Sequence, residues 1–195
     1  MNLKKMIPFI LDNIIWFLIV IVIVVFGFFA NNFFSPGNFL SILYSASVLG
    51  LLVIGQSITL FTGNFDLSAE SILGLAGLIG IWLMNADGWP DYGSGFMLPI
   101  YVAIPIILLM GTLIGLFNGN MITKLRMNNF VETLAMMIAL RGIMLVVNGG
   151  QTAYNKIPAY NFIGLHKVGP VPFPVILLLS AYAIAYVVTM HTQFG

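Results

Sequence analysis

From Asn13 to Phe65 the chain carries no charged side chain, and that run decides the solvent in which it folds. A soluble domain of 195 residues could not hide so long an uncharged stretch. Apolar segments of about 20 residues, rising about 1.5 Å per residue, cross a hydrocarbon core roughly 30 Å thick. Composition points the same way: 60% of residues are hydrophobic and 7% charged, against roughly 45–50% and 25% in an average soluble domain. The sequence therefore predicts an all-α, polytopic transmembrane helical bundle. Breaking it at polar turns gives about six spans, near residues 13–30, 39–61, 68–84, 96–121, 130–147 and 171–190. A short lead (1–12) precedes them and a short tail (191–195) follows.

Composition also removes whole classes of function. Seven Lys and Arg residues with a net charge of +1 form no patch able to neutralise many phosphates, so nucleic-acid binding is set aside. The absence of cysteine excludes disulfides, thiolate metal sites and cysteine nucleophiles. Two histidines, His166 and His191, are too few to build a metal or catalytic site alone. The basic start, MNLKKMIPF, resembles the first part of a signal peptide, but no small-residue cleavage pattern follows the apolar segment behind it. Strict alternation of six spans puts Lys4, Lys5, the Lys124/Arg126 turn and His191 on one side, which the positive-inside rule makes cytoplasmic. Lys156 and Lys167 fall opposite and weaken that assignment.

The polar interruptions are specific. Thr62 to Gly77, TGNFDLSAESILGLAG, places Asp66 and Glu70 four residues apart, a spacing at which one helical face holds both. Asn31–Asn38 and Asn85–Gly95 read as turns, the second carrying Asp87, Asp91, Trp89 and Tyr92 as interface chemistry. Gly111, Gly115 and Gly119 share one side of the fourth span, a surface that lets another helix approach closely. Asn129 with Glu132 three residues on has the pattern of a helix cap and its reciprocal partner. For Arg141, inside the fifth span, three readings stay open: snorkelling, pairing with a carboxylate, or facing an aqueous cavity. The connection 148–170 is long enough to hold a surface-lying or re-entrant piece.

Taken in order, Thr62-Gly-Asn-Phe-Asp-Leu-Ser68, Gly115-Leu-Phe-Asn-Gly119, Asn129-Phe-Val-Glu-Thr-Leu134, Arg141-Gly142 and Gly149-Gly-Gln151 resemble the membrane permease subunits of bacterial ATP-driven importers of ribose, xylose and arabinose. The resemblance covers about Phe39 to the last residue. It implies an ABC importer permease fold in the bacterial inner membrane, working by alternating access. The implied partners are two ABC ATPase subunits, a periplasmic sugar-binding protein, a second permease copy and a monosaccharide. It carries the family's acidic motif onto Asp66, its glycine turn onto Gly115 and Gly119, and its helix-buried arginine onto Arg141. Glu70 departs from the pattern, since family members usually have glycine there. They also run well beyond the length of this chain, so the resemblance implies the N-terminal portion of a permease.

No GxxxxGK[ST] loop is present, so ATP hydrolysis is expected on a partner and no cofactor, metal or catalytic residue is assigned. A neutral polyhydroxylated substrate is met by amides and hydroxyls rather than paired charges. Gln56, Asn64, Asn118 and Asn120 are the candidate path-lining residues, with helix–helix hydrogen bonding as the competing role for each. Asp66, Glu70, Arg141, Gly115 and Gly119 are the structural or gating candidates. A non-transporting oligomeric scaffold, or an inactive permease fragment, is the alternative function. An intramembrane enzyme built on Asp66 and Glu70 lacks an accompanying nucleophile and base.

Overall fold

The computed structural model describes residues 11–86, 93–151 and 158–193. Lys4, Lys5, Asp87, Trp89, Asp91, Tyr92 and Lys156 lie outside them. Two compact units divide the chain, Met1–Ser45 and Ala46–Gly195.

In the first unit, α1 (Ile14–Phe29) is apolar on every side and has no buried residue. Such a helix suits lipid rather than water. The turn that follows is stitched by Asn38, whose Nδ2 donates to Phe33 O at 2.7 Å and whose backbone N–H donates to Ser35 Oγ at 3.2 Å. Ser35 thus caps α2 (Pro36–Phe61), and Pro36 occupies the first helical position, where no N–H is needed.

The second unit is organised by α3 (Ala69–Met84), α4 (Ile100–Thr123) and α5 (Asn129–Asn148). These pack as an up-down-up bundle, and cross-links fix their directions. Asn118 of α4 meets Ser68 beside the start of α3, and Leu98 ahead of α4 bonds Leu83 at its end, so α3 and α4 are antiparallel. Asn129 meets Asn64, Arg141 meets Glu70, and a Cβ built on Gly74 would lie 3.0 Å from Met144 Sδ, so α3 and α5 run parallel. Buried Leu75, Leu78, Leu83, Met84, Ala103 and Leu140 form the apolar core of this bundle. Trp82 and Phe96, edge to face at 6.5 Å, close its α3–α4 end. After α5, capped by Gly149 in the left-handed conformation, come α6 (Pro158–Leu165), a hairpin of β1 (Lys167–Val168) and β2 (Val171–Pro172), and α7 (Phe173–His191). Within the 148–170 connection Phe162 stacks on His166 at 4.1 Å and meets Phe173 at 5.7 Å, folding α6 onto the head of α7.

The expectation of six spans is corrected. Among the described residues four helices are long and apolar enough to cross a membrane, α2, α4, α5 and α7. The other two apolar helices, α1 and α3, have 16 residues each, about 24 Å of rise against a core of roughly 30 Å. For α3 the cause is local. The irregular turn before Ala69 and the extended Asn85 after Met84 confine the helix to 16 residues, close to the expected 68–84.

Candidate functional site: a polar turn held between helices

The turn from Thr62 to Ser68 folds back along α2. Gly63 takes the left-handed conformation (φ 74°), and the backbone N–H of Asn64 donates to Thr59 O at 3.1 Å. Gln56, five residues before the end of α2 and about 7.5 Å along its axis, holds the returning chain. With its amide facing donors to acceptors, Nε2 donates to Asp66 O at 3.0 Å and Oε1 accepts from Asp66 N at 3.1 Å. A backbone with no helical partner is tolerated at membrane depth only where protein or a water-lined cavity surrounds it. Here one side chain satisfies both main-chain groups of Asp66.

The Asp66 carboxylate turns inward. Its Oδ1 accepts from the backbone N–H of Ser68 at 2.8 Å and from Ser68 Oγ at 2.6 Å, an Asx-type turn that sets the start of α3. The Ser68 hydroxyl, fully buried, also lies 2.9 Å from the amide of Asn118, itself 4% exposed. With Oδ1 of Asn118 toward Ser68, its Nδ2 donates to Glu132 Oε1 and to Ile114 O, both at 3.2 Å, and the one Ser68 hydroxyl proton lies between Asp66 Oδ1 at 2.6 Å and Asn118 Oδ1 at 2.9 Å. Asp66, Ser68, Asn118 and Glu132 thus form one chain of polar contacts across α3, α4 and α5. A second link joins Asn129 Nδ2 to Asn64 Oδ1 at 2.8 Å, beside Thr133, whose hydroxyl donates to Asn129 O at 2.9 Å. Glu132 Oε2, Asn129 Oδ1 and Ser71 Oγ are buried without a hydrogen-bond partner among the described residues.

A cavity of about 280 Å³ opens beside this belt, lined by Thr59, Thr62, Asn64, Asp66, Gly115, Asn118, Gly119, Ile122, Thr123, Asn129 and Thr133. Gly115 and Gly119 have nothing within 4 Å of a built Cβ. At Gly111 the same face meets α3, where a Cβ would lie 3.6 Å from Ile72 Cγ2; at Gly115 and Gly119 the missing side chains leave the cavity open.

Two sequence expectations change here. Asp66 and Glu70 do not share a helical face, because Asp66 precedes α3 and is bound to Ser68. Glu70, in the first turn of α3, meets Arg141 instead, with 2.9 Å between Arg141 Nη2 and Glu70 Oε1. The cap of α5 is Asn128, which accepts from Val131 N–H at 3.3 Å, and not Asn129. That shift frees Asn129 to reach Asn64 and turns Glu132 into the bundle. The Arg141–Glu70 pair stands apart from the cavity, with side chains 51% and 70% exposed. A charged side chain at the centre of a bilayer costs about 2.5–3.5 kcal/mol even on the lenient insertion scale.

Of the four candidate lining residues, Asn64 and Asn118 line the cavity with Asp66, while Gln56 grips the turn from behind. Asn120 is outside it, its Nδ2 bonded to Leu116 O of its own helix at 2.7 Å. Sequence reasoning missed Ser68, Thr133 and the inward role of Glu132. The signal for Glu132 was available in its register, since i and i+1 of a capping pair face different ways once the cap moves by one residue.

Four membrane-length helices, with a polar turn beside a cavity, define a multi-pass membrane protein. The chain belongs to the family of branched-chain amino acid transport system / permease components, whose model matches residues 38–195. It is 28% identical over 191 residues to the ribose import permease protein of Haemophilus influenzae, covering 96% of this chain and 56% of that one. It is 29% identical to the xylose/arabinose import permease protein of Sulfolobus acidocaldarius (92% and 49% covered) and 32% identical to the autoinducer 2 import system permease protein of Yersinia pseudotuberculosis (80% and 43%). The chain spans about half the length of these curated relatives. No solved structure matches it.

Proposed function

We propose that this chain forms part of the translocation path of an ATP-driven monosaccharide importer of the bacterial inner membrane, with its N-terminus cytoplasmic. Hydrolysis falls to ABC ATPase subunits, delivery to a periplasmic sugar-binding protein, and closure of the path to a second permease copy. The observation that carries the reading is the cavity at the Thr62–Ser68 turn, lined by amides, hydroxyls and glycines with Ile122, and with Asp66 already engaged by Ser68. Neutral donors and acceptors of this kind suit exchange with sugar hydroxyls. The relatives named as ribose and xylose/arabinose import permeases support the same substrate class. Asn64 and Asn118 are assigned to the path, Gly115 and Gly119 to keeping it open, and Gln56 and Asp66 to holding the turn that moves with alternating access. The test is uptake of labelled ribose, xylose and arabinose by cells lacking their own permeases and expressing this chain with the remaining importer subunits. Uptake lost in Asn118→Leu at a membrane level of folded protein equal to the parent's, and kept in Asn120→Leu, supports the reading; leucine uptake without sugar uptake overturns it.

A further inference from the structure

The ion pair between Glu70 and Arg141 is the feature that the polar turn leaves unexplained. Arg141 sits twelve residues into α5, about 18 Å from its start along the axis, yet half of its side chain and most of Glu70 are exposed. Exposed charges at membrane depth face a water-filled space and not lipid. The contact is a single one, Arg141 Nη2 to Glu70 Oε1. It leaves the other carboxylate oxygen and four of the five guanidinium N–H donors free of partners among the described residues.

Position along the helices says what lies beside the pair. One turn further on, Leu73 and Gly74 follow Glu70 on its face of α3, and Met144 and Leu145 follow Arg141 on its face of α5. These residues, with Gly77 and Asn148, line a groove of about 400 Å³ between the two parallel helices, and Glu70 and Arg141 stand one turn beyond its lining; the volume is within the usual range for small-molecule sites of roughly 300–1,000 Å³. We infer that this groove is a second solute site on the path, at which the Glu70–Arg141 pair hydrogen-bonds neighbouring hydroxyls of the passing sugar. The inference rests on the monosaccharide reading above. The pair is net neutral and stays intact while it does so: Glu70 accepts from one hydroxyl and Arg141 donates to the next. An uncharged polyol meets charge-assisted hydrogen bonds without any ion being left unpaired.

The chain has no cysteine, so a single introduced thiol reports cleanly. In membranes holding the chain with its importer subunits, Met144→Cys is expected to react with a membrane-impermeant methanethiosulfonate. Val146→Cys, on the other side of α5 at nearly the same depth, is not. Ribose, xylose or arabinose slows the Met144→Cys reaction. Glu70→Gln and Arg141→Gln, each added separately and each measured against its own unprotected rate, raise the sugar concentration needed for protection about tenfold or more, the scale of one charge-assisted hydrogen bond. No reaction at Met144→Cys overturns the inference by removing the aqueous groove. So does protection that is indifferent to both substitutions while sugar uptake continues, an outcome that leaves the monosaccharide reading standing. Protection by leucine but by none of the sugars overturns both.

Discussion

Replacing Asn118 by leucine removes the amide that joins α4 to both neighbours while nearly keeping its volume. Two inter-helix contacts go, to Ser68 at 2.9 Å and to Glu132 at 3.2 Å. Inter-helix hydrogen bonds in membranes average about 0.6 kcal/mol each, so the contacts alone account for about 1 kcal/mol. What they leave behind weighs more. Glu132 is 3% exposed and its Oε2 already has no partner, so the variant strands both oxygens of a buried carboxyl, at about 1–3 kcal/mol for each such group. The expected loss is about 2–4 kcal/mol out of a total stability of order 5–15. Equilibrium unfolding in mixed dodecyl maltoside and sodium dodecyl sulfate micelles, followed by far-ultraviolet circular dichroism, reads it. Asn120→Leu, which gives up one bond within its own helix, should fall within about 0.5 kcal/mol of the parent. In the double variant Asn118→Leu with Glu132→Leu, both partners are apolar and at least half of the loss should return. Equal effects of the two single substitutions, or strict additivity in the double, would refute the claim that the buried belt holds these helices.

Gln56→Leu should leave overall helicity unchanged while amide exchange across residues 62–68 accelerates at least tenfold, since both main-chain bonds of Asp66 lose their partner; unchanged exchange there would show that the turn holds itself. Gly50→Ile should destabilise by about 1–3 kcal/mol in the same micelle assay, because even a bare Cβ lies 2.8 Å from Leu178 Cδ1. Gly55→Ala, with nothing within 4 Å, should be neutral or gain up to about 1 kcal/mol of helix propensity. A double-mutant cycle on Glu70 and Arg141 should return a coupling below about 1 kcal/mol, as for pairs bathed in water; a value above 3 would place the pair in a dry environment. Leu125→Cys, in the turn with Lys124 and Arg126, should be labelled by an impermeant thiol reagent only in inside-out vesicles, and labelling in intact cells would invert the topology.

The helical class was legible because an uncharged run such as Asn13–Phe65 leaves the chain few other options. The end of α5 followed from local turn chemistry at Gly149, whereas α2 begins at Pro36, three residues before the expected 39, because Ser35 and Pro36 open the helix instead of extending the turn. The start of α3 also followed, within one residue of the expected Ser68; what did not is the grip of Gln56 on Asp66, because nothing in the spacing of either residue announces a contact across the turn. The cap of α5 was misread by one residue since Asn128 and Asn129 are equally good candidates in isolation. Only the presence of Asn64 across the gap decides between them. Glycine spacing on α4 was visible, but whether the missing side chains admit a helix or a cavity is a property of the neighbours.

The brevity of α3 bears on how the protein is made. A segment of 16 residues with Glu70 in its first turn has little affinity for lipid by itself, so a translocon that tests each segment singly would hold it back. Its antiparallel neighbour α4, 24 residues long and strongly apolar, supplies what α3 lacks. The two are expected to leave the insertion channel together as a hairpin, and ribosome-bound intermediates that end before α4 emerges should then keep α3 within crosslinking reach of that channel.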